Sequence, residues 1–140
     1  MKVGIINGPN LNLLGQREPE IYGEHGFDSY LDQLRLKFPQ HQIEYFQSNN
    51  EGELIDAMHR MATECDGLIL NPAAYTHTSL ALGDAVKGIN CPLIEVHISN
   101  VYQRENFRHK SYISSAAKGT ISGLGLQVYK LALLAFIAEG

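Results

Sequence analysis

Short runs rich in aliphatic and β-branched residues alternate with longer segments whose apolar residues recur three and four apart, and this alternation constrains the fold more than any other feature. Residues 3–7, 43–47, 68–71, 93–98 and 120–122 read as strands, being too short for helices and punctuated by Gly, Pro, Asn or Asp at their borders. Between them, Phe27, Tyr30, Leu31, Leu34 and Phe38 mark one face of a first helix, which Pro39 stops. Leu54, Ile55, Met58, Met61 and Ala62 mark the face of a second. A third begins near Thr78 and Ser79, whose hydroxyls can cap the free N–H groups of a first turn, and fades at Gly88. Strands separated by helices make βαβ units and a parallel sheet with helices packed on it.

Residues 42–47 alternate polar and apolar, as an edge strand does, whereas the first, third and fourth strands are more continuously apolar and belong inside the sheet. The order 2-1-3-4-5 accommodates this. It gives an α/β, flavodoxin-like three-layer sandwich on a five-stranded parallel sheet. The last helical segment, 124–137, is apolar nearly all round, interrupted mainly by Gly125, Gln127 and Lys130. Such a helix is buried on more than one side, either by a second subunit or by deep packing on its own sheet, and the sequence leaves both open. A chain of 140 residues, 44% hydrophobic, has the size of one domain with its own core, so residues 1–140 are read as a single domain.

Charge removes some function classes. A net charge of -4 with no basic run lacks the footprint of a nucleic-acid binder. Cys65 and Cys91 stand far apart in no CxxC pattern, which argues for buried thiols over a zinc or redox centre. The segment MKVGIINGPN has one lysine and a short apolar run, too short for a signal or a membrane span, so the expected location is cytoplasmic.

Two connections exceed the usual length for α/β units, residues 8–26 and 99–118, and both follow strands. They therefore lie at the carboxyl edge of the sheet, where open α/β folds bind ligands. The first carries Asn10, Asn12, Arg17, Glu18 and Tyr22 between glycines, a composition suited to a lid that closes over a substrate; taken alone, Tyr22 reads as an exposed loop tyrosine. The third strand ends in Asn71 and leads to His77 just before a helix start. The fourth supplies Glu95 and His97, two apart and so on one side of the strand. A carboxylate beside an imidazole fixes its tautomer and suits it to general acid work, and a charged group in an apolar strand is costly unless paired. The backbone N–H groups of Ile98 and Ser99 follow, able to receive a carboxylate. Arg104 and Arg108, at i and i+4, share a face if that stretch is helical; alone, they read as a solvated basic surface. Convergence on one sheet edge is what raises these groups above their separate meanings.

The blocks INGPNLNLLGQREPEIYG, QSNNEGELID, NPAAYTHTSLAL, IEVHISNVYQRENFRHKSY and GTISGLGLQVY resemble type II 3-dehydroquinate dehydratases in order and spacing over essentially the whole chain. The resemblance implies elimination of water from 3-dehydroquinate through an enolate, without metal or cofactor. It implies Tyr22 as the base at C2, Arg17 as the cation that favours its tyrosinate, and Asn10 as the holder of a water at the enolate. His97 is then the acid for the departing C1 hydroxyl, with Glu95 orienting it. Asn71, His77 and Arg108 would hold ring hydroxyls and carboxylate, Ile98 and Ser99 would offer N–H groups, and Arg104 would join the charge cluster on the lid side. Asp84 resembles the aspartate that reaches into a neighbouring subunit's site, which implies a homo-oligomer of twelve chains as four trimers. Two departures stand out: Gly83 sits where many members have arginine, and Tyr102-Gln103 replaces a frequent His-Ala.

A tyrosine base is physically permissible. Ionising a phenol near neutrality takes roughly 4 kcal/mol, and one guanidinium at about 4 Å supplies about that at an effective dielectric near 20. Competing chemistries fit less well. Imine catalysis needs a desolvated lysine, and only Lys110 and Lys118 fall near the strand-end blocks. A nucleotide- or flavin-binding module lacks support, since residues 8–15 have no Gly-Lys-Ser/Thr ending and Gly123-Leu-Gly125 lacks a third small residue. A metal hydrolase built on His77, His97 and Glu95 has no HExxH pattern behind it.

Overall fold

The computed structural model describes residues 1–15 and 26–139. Along the chain these form β1 (Lys2–Asn7), α1 (Phe27–Lys37), β2 (Gln42–Gln47), α2 (Glu51–Glu64), β3 (Gly67–Asn71), α3 (Leu80–Gly88), β4 (Leu93–His97), β5 (Gly119–Ser122) and α4 (Gln127–Glu139), with short 3-10 turns in the connections. All five strands fall within a residue of where apolar periodicity sets them. They pair in parallel in the order β2-β1-β3-β4-β5. The register sets Asn7 beside both Gln47 and Asn71, and His97 beside Ser122, so the polar strand ends line up along one edge.

Alternation along the strands divides the core into two layers. Val3, Ile5, Ile69, Ile94 and Val96 face α1 and α4, which contribute Leu31, Leu34, Tyr129 and Phe136. Ile6, Leu68, Leu70 and Leu93 face α2 and α3, which contribute Leu54, Met58, Met61 and Leu82. Full burial of side chains such as Leu54 and Met58 is worth about 1.5–3 kcal/mol each. Asn50 caps α2 by accepting from the N–H groups of Gly52 and Glu53. Ser79 caps α3 by accepting from Leu82 N at 2.9 Å, and Thr78 stands one residue too early to share that task.

Two readings are refined. The last helix starts at Gln127 rather than 124, because Gly123 (φ 91°) and Gly125 (φ 67°) take left-handed backbone. Their N–H groups donate to the carbonyls of His97 and Ile98 at 3.0 Å each, which ties the end of β5 to the end of β4. On α4, Val128, Tyr129, Ala132, Leu133 and Phe136 are buried in the core, while Leu134 remains 39% exposed on another side. Packing on the sheet thus accounts for one face of this helix and leaves apolar surface elsewhere on it. At Gly83 a Cβ would collide with the carbonyl of Tyr112, so the loop backbone occupies the space that a side chain here would need. Cys65 and Cys91 are free and partly buried, and burial pushes the Cys91 thiol up to about 11. Among the described residues no helix is long and apolar enough to cross a membrane.

Candidate active site

At the carboxyl edge of the sheet a cavity of about 340 Å³ opens between the ends of β1, β3 and β4 and the segment that follows β4. Asn10, Asn71, His77, His97, Arg104 and Arg108 line it, together with Ile98 and Ser99. That volume is at the lower end for small-molecule sites and suits one small ring.

Glu95 and His97 project from β4 to the same side, as period-two geometry requires. The Glu95 side chain is fully buried, and its Oε2 lies 2.5 Å from His97 Nε2. Burial alone would raise the Glu95 carboxyl, but hydrogen bonds from His97, Ser114 and Thr76 outweigh it and the net displacement is downward. Glu95 is therefore ionised near neutrality. A carboxylate only accepts, so Nε2 carries the hydrogen it donates, and Nδ1 is the ring nitrogen left for the cavity.

His77 sits across from this pair, its ring 6.3 Å from that of His97 and nearly parallel to it. Its Nδ1 is 2.7 Å from the carbonyl of Lys110, so that nitrogen donates. Burial outweighs this bond and depresses the imidazole, leaving a neutral ring with Nε2 as an acceptor.

Asn71 is held from both ends. Its Oδ1 accepts from Ala73 N at 3.1 Å, and its Nδ2 donates to Tyr129 Oη at 2.9 Å. Tyr129 in turn donates to Asn7 Oδ1 at 2.7 Å, and Asn7 donates to Tyr45 Oη at 3.3 Å. Burial pushes the Tyr129 phenol far up, so it works as a neutral bridge. Among the described residues Asn10 (φ 70°) and Ala73 (φ 52°) are the non-glycines with left-handed backbone, and both line the cavity. Such conformations cost on the order of 1–3 kcal/mol and persist where surrounding structure imposes them. At Asn10, Asn49 Oδ1 accepts from the backbone N–H at 2.9 Å.

Of the residues singled out from sequence, Asn10, Asn71, His77, His97, Ile98, Ser99, Arg104 and Arg108 come together around this one cavity, with Glu95 directly behind His97. Arg17 and Tyr22 lie outside the described residues. Asp84 is exposed on α3 and is not part of the cavity wall. The idea of Arg104 and Arg108 on one helical face is corrected: 3-10 turns at Val101–Gln103 and Asn106–His109 replace a helix, with extended backbone at Arg104 between them. Arg104 reaches Ser99 Oγ at 3.5 Å, and Arg108 Nε donates to Glu105 Oε2 at 2.6 Å. Sequence reasoning missed Thr76, Ser111, Ser114 and Tyr129. The Ser/Thr density of THTS and KSYISS was a weak signal for the first three, and Tyr129 looked like one more apolar position of α4. No lysine lines the cavity among the described residues: Lys110 stands over the Tyr112 ring and Lys118 pairs with Glu139 at 3.2 Å. The described residues also hold no group of three or more His, Cys, Asp or Glu suited to a metal ion.

This arrangement can seat an oxygen-rich ring, offer a buried imidazole to one of its hydroxyls and meet a carboxylate with guanidinium groups. The family model described as Dehydroquinase class II matches residues 1–137. A protein of Caldicellulosiruptor bescii named 3-dehydroquinate dehydratase is 53% identical over 137 residues, covering 96% of this chain and 94% of the relative. The crystal structure of a type II dehydroquinase from Butyrivibrio crossotus superposes with a TM-score of 0.93 at 40% identity, covering 98% of this chain and 97% of that one. A second, from Propionibacterium acnes, gives 0.92 at 39% identity, with coverage of 99% and 97%.

Proposed function

We propose that this chain, which belongs to the class II dehydroquinase family, is a hydro-lyase that eliminates water reversibly from 3-dehydroquinate to give 3-dehydroshikimate. The step serves the shikimate route to aromatic amino acids, or quinate breakdown. The observation that carries the reading is the buried Glu95–His97 pair behind a small cavity whose rim holds two arginines.

In this reading Tyr22 removes the proton at C2 beside the ketone, with Arg17 favouring its ionised form. The enolate oxygen is held through a water at Asn10. His97 passes a proton from Nδ1 to the departing C1 hydroxyl, while the Nε2–H bond to Glu95 fixes the orientation of the ring. Asn71 and neutral His77 meet ring hydroxyls, and Arg108 with the N–H groups of Ile98 and Ser99 receives the carboxylate. Arg104 lies on the side from which the lid closes. The reading needs no metal or cofactor, treats the chain as one domain and places it in the cytoplasm.

Asp84 then completes a neighbouring subunit's site in an assembly of twelve chains as four trimers. Its exposure on α3, one turn from a Leu80 that is 65% exposed, supports that part. Sedimentation at the mass of one chain would remove it.

The test follows formation of the conjugated enone from 3-dehydroquinate by ultraviolet absorbance. Wild type converts the substrate, whereas Tyr22→Phe and His97→Asn each lose roughly 10²- to 10⁴-fold in kcat. An inert wild type sinks the reaction, and full turnover by Tyr22→Phe removes that residue as the base.

A further inference from the structure

Glu95 is surrounded by more hydroxyl groups than an orienting carboxylate needs. Thr76 Oγ1 lies 2.5 Å from Oε2 and Ser114 Oγ lies 2.5 Å from Oε1. Ser111 Oγ is 2.8 Å from Thr76 Oγ1 and 3.3–3.4 Å from both carboxylate oxygens. Each hydroxyl has one hydrogen to give and two lone pairs. On Ser111 both lone pairs are engaged, because its Oγ accepts from the backbone N–H groups of Ile113 and Ser114 at 3.0 Å each. Ser111 can then act toward Thr76 only as a donor. Thr76, receiving that hydrogen, has its own to give to Glu95, where it meets the donations from Ser114 and His97. The direction from Ser111 to Thr76 is thus set by two backbone N–H groups in the turn after Lys110, which leaves the Thr76 hydrogen, like that of Ser114, free to be given to Glu95.

From this proton accounting we infer that Thr76, Ser111 and Ser114 are positioning residues: a one-way hydroxyl cradle that holds Glu95 as an acceptor and so keeps His97 donating through Nε2, with Nδ1 toward the substrate. The inference rests on the reading of His97 as the acid. It also joins the two halves of the site, since the loop that presents Arg108 delivers two of the three hydroxyls. Hydrogen bonds in such a sequence strengthen one another where water is excluded. The titratable or charged groups around the pair are His77 on the turn after β3 and Arg104, Glu105 and Arg108 along the cavity wall.

Thr76→Val and Ser114→Ala each remove one donor to the carboxylate, and Ser111→Ala removes the group that orients Thr76. The readout is the carboxyl ¹³C shift of Glu95 against pH in glutamate-labelled protein, assigned by its absence in Glu95→Gln. In wild type the Glu95 carboxyl is held down, so losing a donor moves its titration upward and moves the acidic limb of the kcat profile with it. Turnover falls roughly 10-fold or more per donor while KM stays within a few-fold. Thr76→Ser, which keeps the hydroxyl, restores both titration and turnover. Ser114 is partly exposed, so its variant retains the fold even where Thr76→Val does not. An unchanged Glu95 titration in folded Ser114→Ala and Thr76→Val overturns the cradle. A displaced titration with unaltered turnover leaves the cradle standing and overturns His97 as the acid.

Discussion

The two walls of the cavity are held by different forces. The strand-end wall, from β1, β3 and β4, is fixed by hydrogen bonds among groups with almost no exposure, with Tyr129 between Asn7 and Asn71 and Glu95 among hydroxyls and His97. The loop wall, from residues 98–110, presents Arg104 and Glu105 between two short 3-10 turns and Arg108 on the second, and Arg108 is bonded to a glutamate side chain that is 52% exposed. A broken hydrogen bond to a buried charge costs about 1.5–3 kcal/mol, whereas an exposed ion pair is worth far less and is screened by salt. One wall is therefore set by folding before any ligand arrives. The other can exchange partners as a ligand comes in, and the proposed function puts the proton transfer at His97 on the first wall and the capture of charge on the second.

Glu95→Gln is the strongest attempt to break this division. A glutamine keeps the shape but puts an NH₂ group among donors from Thr76, Ser114 and His97, so at least one of them loses its acceptor. Turnover falls about 10²- to 10⁴-fold, with KM changed only a few-fold, because the loss concerns a proton transfer and not the seating of the substrate. A variant with turnover within about threefold of wild type would mean that the strand-end wall does not carry the chemistry.

Tyr129→Phe asks whether that wall is as rigid as its hydrogen bonds suggest. The substitution leaves Asn7 Oδ1 and Asn71 Nδ2 without the hydroxyl they share, in a place that water does not reach. Stability drops by about 2 kcal/mol in denaturant titration, with a smaller decrease in turnover through a looser Asn71. A neutral result would show that the two asparagines find each other or another partner, and that the wall adapts.

The same contrast explains how much could be read from the chain. Strand order and the carboxyl-edge site were legible because burial imposes a period on the residues: β1, β3 and β4 had to be internal, and Glu95 and His97 had to share a side. The start of α4 was misplaced by three residues because left-handed glycines there carry no apolar signature. Arg104 and Arg108 looked like a helical pair because i,i+4 spacing says nothing about whether a segment without a core face will be helical. Thr76, Ser111 and Ser114 stayed hidden for a different reason: a serine in a loop has the same local meaning whether it faces water or a buried carboxylate 16–19 positions away, and only the fold tells the two apart.

The smallest effect belongs to Glu105→Gln, and it sharpens the comparison from the loop side. Arg108 holds the Glu105 carboxyl below its ordinary range, so it is ionised at neutral pH and, in the proposed function, competes with the substrate's carboxylate for the same guanidinium. The competition is partial, since the bond uses Nε and a guanidinium has four further N–H donors. Removing the negative charge lowers KM by about twofold at low ionic strength, and the difference fades as salt is added, because both interactions are exposed to screening. A rise in KM that persisted in salt would mean that Glu105 holds Arg108 in place for the ligand. The loop wall would then be preorganised too, and the two walls would differ in exposure but not in function.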